Sequence, residues 1–243
     1  MDYLDVAADL VARARKQGAD EVECVIHEGS NFSVGVRLGE IEQIKDSGSK
    51  AIGLRVLQGR RAASTFSSDF SAEGINVLLQ SALETVRFTS DDPFNGLPEA
   101  DELGVAIDPA LLELYHDDVL ALTAEQKIEM ARSAEAAALD ADTRITNSEG
   151  ADCHSGWSRS VLANSNGFAG EYSATHCSLS VSPLAESNGS KERDFWYSVS
   201  LSAAGLDSPE EVGRRAAERA LRRLNPTKVE TTRIPVVFEP GVA

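Results

Sequence analysis

The sequence predicts an α+β fold made of two consecutive helix–antiparallel sheet–helix units. Three observations lead there. Four stretches carry apolar residues at helical spacing, and long runs between them alternate with a period of two. Helix, strands and helix also occur in the same order twice. A doubly wound parallel sheet would instead alternate strand and helix singly. The expected divisions are a first α+β domain over 1–90, an acidic connecting segment over 91–122, a second α+β domain over 123–230, and a last stretch over 231–243.

The first helix spans residues 3–17. Tyr3, Val6, Ala7, Leu10, Val11 and Ala14 share one face, Arg15 and Lys16 suit its negative end, and Gly18 can close it. Alternating runs follow at Glu21–His27, Phe32–Leu38, Ile41–Lys45, Ala51–Leu57 and Ala62–Phe66. Gly29-Ser-Asn, Ser47-Gly-Ser and Gln58-Gly59 read as the breaks between them. Ser71 caps a second helix whose buried face is Ile75, Leu78, Leu79, Ala82 and Val86. Residues 91–118 then hold nine Asp or Glu, three prolines and no Lys or Arg, which reads as a solvated crossing segment with a short helix around Pro109–Tyr115.

Thr123-Ala-Glu-Gln126 is a capping box that starts a third helix reaching Leu139. Strands are expected at Thr143–Cys153, Ser158–Asn164, Phe168–Val181 and Asp194–Ser202. Asn166-Gly167 suits a two-residue hairpin turn, because both central residues need positive φ; Asn188-Gly189 marks a second turn. Ser208-Pro-Glu-Glu211 is another capping box with proline in its favoured first position, opening a helix that buries Val212, Ala216, Ala220, Leu221 and Leu224. Ile234 onward starts a strand.

Composition narrows function. The chain has 243 residues, 42% of them hydrophobic and 26% charged, with a formal net charge of −16. Such acidity repels nucleic-acid phosphate and argues against direct nucleic-acid binding. No apolar run is long enough to span a bilayer, the acidic N-terminus is no signal peptide, and a cytoplasmic, membrane-free protein is expected. Cys24, Cys153 and Cys177, an odd number, read as reduced thiols.

Chemistry-bearing residues are sparse. His27-Glu28 has no second histidine at zinc-helix spacing. Cys153-His154 and His176-Cys177 supply a zinc-like set, but neighbours on a strand point to opposite faces, so at most one of each pair can face a shared metal. The same divergence rules out a Cys/His dyad at 176–177. No Gly-x-Ser-x-Gly elbow and no Walker loop occurs. Arg214, Arg215, Arg219, Arg222 and Arg223 read as a solvated helix face partly paired with Glu210, Glu211 and Glu218. Asn164–Gly167 reads either as a ligand-contacting loop tip or as a turn chosen for its φ angles. Trp157, Phe195, Trp196 and Tyr197 read as core or interface. The residues themselves nominate no catalytic, cofactor-binding or metal-binding position.

Several stretches together resemble the PmbA (TldE) branch of the TldD/PmbA family: Leu162–Trp196, Ser208-Pro-Glu-Glu-Val-Gly-Arg-Arg-Ala-Ala-Glu-Arg-Ala-Leu, Pro235-Val-Val-Phe-Glu-Pro, Gly53-Leu-Arg-Val and Asp92-Pro-Phe-Asn-Gly-Leu-Pro. The resemblance is collinear along essentially the whole chain. It implies the N-terminal part of a longer protein, with residues 231–243 as the start of a large, truncated C-terminal domain. It implies a TldD-like partner whose HExxxH helix holds zinc, and a dimeric assembly in the full-length protein. Together the subunits would form a cytoplasmic metalloprotease enclosing a cavity and cleaving unfolded or short peptides, with roles such as peptide-antibiotic (microcin) maturation and antitoxin degradation. This chain would shape the cavity and hold the peptide, with no cofactor of its own. The alternative is a non-proteolytic regulator or scaffold, in line with the family's older label of DNA gyrase modulator.

Overall fold

The computed structural model describes residues 2–99, 101–104 and 108–238. Helix α1 (Tyr3–Lys16) starts where the Asp2 side chain accepts a hydrogen bond from the Leu4 N–H, and it buries Ala7, Leu10, Val11 and Ala14. Strands β1 (Glu21–Arg37), β2 (Glu40–Gln58) and β3 (Arg61–Ser67) follow, then α2 (Ala72–Thr85), capped by Ser71. A 3-10 turn at Pro109–Leu112 precedes a short helix, α3 (Asp117–Ala121), which the sequence pattern does not announce. Helix α4 (Ala124–Asp140) carries the full capping box between Thr123 and Gln126. Strands β4 (Ile145–Asn164), β5 (Ala169–Ser187), β6 (Ser190–Arg193) and β7 (Trp196–Ser200) lead to α5 (Pro209–Arg222). At α5 only half of the expected capping box is seen: Ser208 accepts from the Glu211 N–H, while the Glu211 carboxylate turns to Arg214 and Arg215.

The fold is α+β, a curled antiparallel half-barrel sheet flanked by helices. Its strand order is β3-β2-β1-β4-β5-β6, with β7 also paired to β5. Two separate sheets are the expectation; instead β1 pairs antiparallel with β4 from Glu23↔Asn164 to Val36↔Ala151 and fuses both sets of strands into one. The expected breaks at Gly29-Ser-Asn, at Ser47-Gly-Ser and between residues 153 and 158 lie inside continuous strands. Close approach explains two of these glycines. A Cβ at Gly29 would sit 2.6 Å from the Trp157 carbonyl oxygen, and one at Gly156 would sit 2.6 Å from the His176 ring.

Parity then organises the packing. Even residues of β1 and odd residues of β4 point to one face, and the helices cover that face in two groups. Helices α1 and α2 close over Val22, Cys24, Ile26, Ile52, Leu54, Val161 and Ala163. Helices α4 and α5 close over Val34, Val36, Ala151, Cys153, Leu179 and Val181. Full burial of each such aliphatic side chain contributes about 1.5–3 kcal/mol.

The acidic connection is partly tied down: Leu97 N–H donates to Glu21, and the Asn166 side-chain amide donates to the Pro98 carbonyl. Residues 225–238 form neither helix nor strand, so the strand expected from Ile234 is not formed as far as Phe238. Its remainder lies outside the described residues.

Candidate functional site

Opposite the helices lies an uncovered, polar sheet face. Cross-strand pairing sets its rows: His27–Ser160–Tyr172, Asn31–Gly156–His176 and Ser33–His154–Ser178. His27, Asn31, His154, Tyr172 and His176 are all exposed there. His27 Nδ1 lies 3.2 Å from Ser160 Oγ, and the Asn31 and His176 side chains lean over Gly156 from either side. Phe195 and Tyr197, ring centroids 6.2 Å apart, stand half-exposed near its β7 margin. A cleft of about 790 Å³ opens beside them, lined by Glu149, Asp152, Ser180, Lys191 and Arg193.

The sheet also has an open edge. Strand β3 pairs only with Ile52–Gln58 of β2, so among the described residues β2 has no outer partner over residues 40–51, which are exposed on both faces. Small and polar residues there (Gln43, Ser47, Gly48, Ser49) leave its backbone approachable, and Glu42, Lys45, Asp46 and Lys50 guard it against self-pairing. Sequence reading missed this edge, because a strand's neighbours are not written in its own residues.

The zinc-like set is divided as strand parity requires. His154 and His176 stand on the open face, while Cys153 and Cys177 are buried on the helix face. Among the described residues no group of three or more His, Cys, Asp and Glu is placed to hold a metal ion. Zinc, which a metallopeptidase family implies, therefore does not fit these residues. His27 faces outward and Glu28 faces the helices, where it accepts from the Tyr3 hydroxyl at 3.2 Å.

Burial pushes the Cys24 thiol up to about 12 and those of Cys153 and Cys177 up to about 11. None is a thiolate nucleophile near neutrality. We expect all three to resist alkylation in the native protein and to react once it is unfolded. A raised thiol pKa stabilises the fold only below the unfolded value of 9.0. As pH climbs from there towards 11, unfolded thiols ionise while buried ones do not, so stability falls. The expected slope is about 1.4 kcal/mol per pH unit per thiol, read as a drop in urea midpoint across that window; a flat midpoint would contradict it.

The turn at Asn164–Gly167 is occupied with its own structure. The Asn164 side-chain oxygen accepts from the Asn166 and Phe168 N–H groups, and Ser165 exchanges two hydrogen bonds with Val22. Only Gly167 takes positive φ, so this is a longer loop and not a two-residue turn; Asn188-Gly189, with φ of 52° and 80°, is the two-residue form. Four of the five arginines on and just after α5 are likewise engaged. Arg214 and Arg215 pair with Glu211, Arg223 with Glu192 and Asp194, and the Arg215 and Arg219 guanidinium groups lie over the half-buried Trp196 ring at 5.4 and 5.5 Å. That is a structural face.

Comparison with known proteins places this geometry. Residues 22–86 match the model of PmbA/TldA metallopeptidase domain 1, and residues 117–224 match that of the PmbA/TldA metallopeptidase central domain. Metalloprotease PmbA of Escherichia coli O157:H7 is 38% identical over 225 residues, covering 93% of this chain and 49% of that protein. TldE from Thermococcus kodakarensis shares the fold with a TM-score of 0.73 at 16% identity, covering 88% of this chain and 47% of the other. A Bacteroides thetaiotaomicron protein carrying a provisional label as a modulator of DNA gyrase superposes with a TM-score of 0.83 at 24% identity, over 93% of this chain and 51% of that one. The chain spans about half the length of the curated relatives it matches (49% and 51%). Among the described residues no helix is long and apolar enough to cross a membrane.

Proposed function

The chain belongs to the PmbA/TldD metallopeptidase family, and from that premise we propose that it is the peptide-holding part of a PmbA/TldE-type subunit in a cytoplasmic TldD/TldE metalloprotease. It is not catalytic by itself. A TldD-like subunit supplies the zinc and the hydrolysis, and unfolded or short peptides are the substrates, in peptide maturation and antitoxin turnover. The observation that carries this reading is the sheet's uncovered polar face with its open β2 edge at residues 40–51. An extended peptide can add to such an edge through main-chain hydrogen bonds, which recognise an unfolded backbone whatever its sequence. A folded substrate has no free strand to offer. The two-domain division at 1–90 and 123–230 and the dimeric state of the full-length protein belong to the same proposal.

The test is capture of a TldD-like subunit on this protein, followed by cleavage of an unstructured peptide with and without chelator. Cleavage that needs both subunits and stops with chelator is expected. Stable capture with no cleavage in any combination would replace this reading with that of a regulator or scaffold.

A further inference from the structure

On the helix face, the α1/α2 group and the α3/α4 group leave a gap over the middle of β1, β2 and β4. A pocket of about 200 Å³ lies in it. One wall is Lys127, in the first turn of α4, whose side chain is only 8% exposed and whose ammonium sits 4.5 Å over the Phe32 ring. Cross-strand pairs Ser30↔Trp157 and Phe32↔Ser155 bring two hydroxyls and two aromatic rings to the same space, and Asp46, opposite Phe32 on β2, lines its rim.

Most of Lys127 is buried, and an ammonium partly stripped of its water gains from an anion that meets it. Among the described residues Lys127 has no carboxylate within ion-pairing distance; Asp46 acts on it only through space. Its position is also electrostatically wrong for a cation, since the first turn of a 17-residue helix carries the positive end of the dipole. Burial accordingly pushes the Lys127 ammonium below its ordinary range. Both features are relieved by the same thing, an anion in the pocket.

We propose that this pocket binds a small monocarboxylate, its oxygens on the Lys127 ammonium and the Ser30 and Ser155 hydroxyls, and its short apolar chain against Phe32 and Trp157. The volume, below that of drug-sized sites, limits the ligand to a few carbons or one chain end. Asp46 on the rim selects against a dianion such as phosphate. Two sources supply this chemistry, a free carboxylic acid and the C-terminal carboxylate of a peptide. The inference stands independently of the protease reading.

Calorimetric titration of the protein tests it, with sodium butyrate, inorganic phosphate, and N-acetyl-dialanine as acid and as C-terminal amide. Butyrate is expected to bind saturably with a Kd on the order of 1 mM, and phosphate and the amide not to bind. Binding of the dialanine acid would identify chain ends as a source, and its failure would leave free acids; either supports the site. Lys127→Met, which keeps the apolar stem, should weaken butyrate at least about tenfold, a change of about 1.4 kcal/mol. Should that variant not fold, reductive methylation of Lys127 in the unaltered protein must be slowed by butyrate. Absent butyrate binding, equal binding by phosphate or the amide, or butyrate affinity unchanged in Lys127→Met, would overturn the proposal.

Discussion

Replacing Glu135 with alanine is expected to cost the protein about 3 kcal/mol. Glu135 lies on the inner face of α4 and is 1% exposed, yet among the described residues it forms no ion pair. Its two oxygens reach 2.9 Å from the Leu38 and Gly39 N–H groups, the tip of the β1–β2 hairpin. Leu38 and Gly39 take φ of 50° and 80°, the paired positive values of a tight hairpin turn, which leaves both N–H groups pointing away from the ladder. Arg132, one turn earlier on α4, closes the contact by donating from Nε to the Gly39 carbonyl at 2.9 Å. One carboxylate thus fastens the far end of the long β1–β2 hairpin to the second helix group.

Hydrogen bonds to a charged group contribute about 1.5–3 kcal/mol each, and the loss here is moderated because the turn can reach water. Glu135→Gln keeps the shape but turns an amide donor towards one of two donors, so about 2 kcal/mol should still be lost. The measure is urea unfolding, with a lower midpoint and an unchanged slope. A shift below about 0.5 kcal/mol in both variants, the range of ordinary surface changes, would show that the contact is incidental.

The second large effect is expected at Gly213. Glycine inside a helix normally gains about 1 kcal/mol on substitution by alanine. Here the opposite should happen. A Cβ at Gly213 would stand 2.3 Å from the Ala134 carbonyl oxygen, 2.8 Å from Ala137 Cβ and 2.9 Å from the Ala138 N. Two of these are α4 backbone atoms, which move only if the helix does. Helices α4 and α5 therefore cross with backbones nearly touching, and Ala131, Ala134, Ala138, Ala216 and Ala220 line their buried faces. Forcing a methyl group into that crossing costs about 1–3 kcal/mol or more, which outweighs the propensity gain. Gly213→Ala should lose about 1 kcal/mol or more net. A neutral or stabilised variant would mean that the helices are free to part.

Much of the fold was legible because local rules sufficed. Asp2 apart, the helix starts at Ser71, Thr123 and Ser208 are written as caps, and the buried faces Ala7/Leu10/Val11/Ala14 and Ile75/Leu78/Leu79/Ala82 follow from helical spacing. Strand parity correctly separated Cys153 from His154 and His176 from Cys177. What misled was glycine. Gly29, Gly48 and Gly156 look like punctuation, yet they lie within paired strands, and at Gly29 and Gly156 a neighbouring chain passes too close for a Cβ. Reading them as breaks split three long strands and hid the β1–β4 pairing that joins both halves. The Glu135 latch and the Lys127 pocket were illegible for a different reason. Glu135 joins α4 to hairpin-turn residues, and Lys127 joins it to a strand residue, about a hundred positions earlier, and neither residue type predicts burial.

The measurement that bears most directly on the account is the zinc content of the purified protein by elemental mass spectrometry. His154 and His176 lie on one face of the sheet and Cys153 and Cys177 on the other, and burial keeps the thiols protonated near neutrality. The account therefore predicts zinc far below one ion per chain. Near-stoichiometric zinc, lost together with substitution of Cys153, His154, His176 or Cys177, would contradict it and make this chain a metal-bearing subunit in its own right.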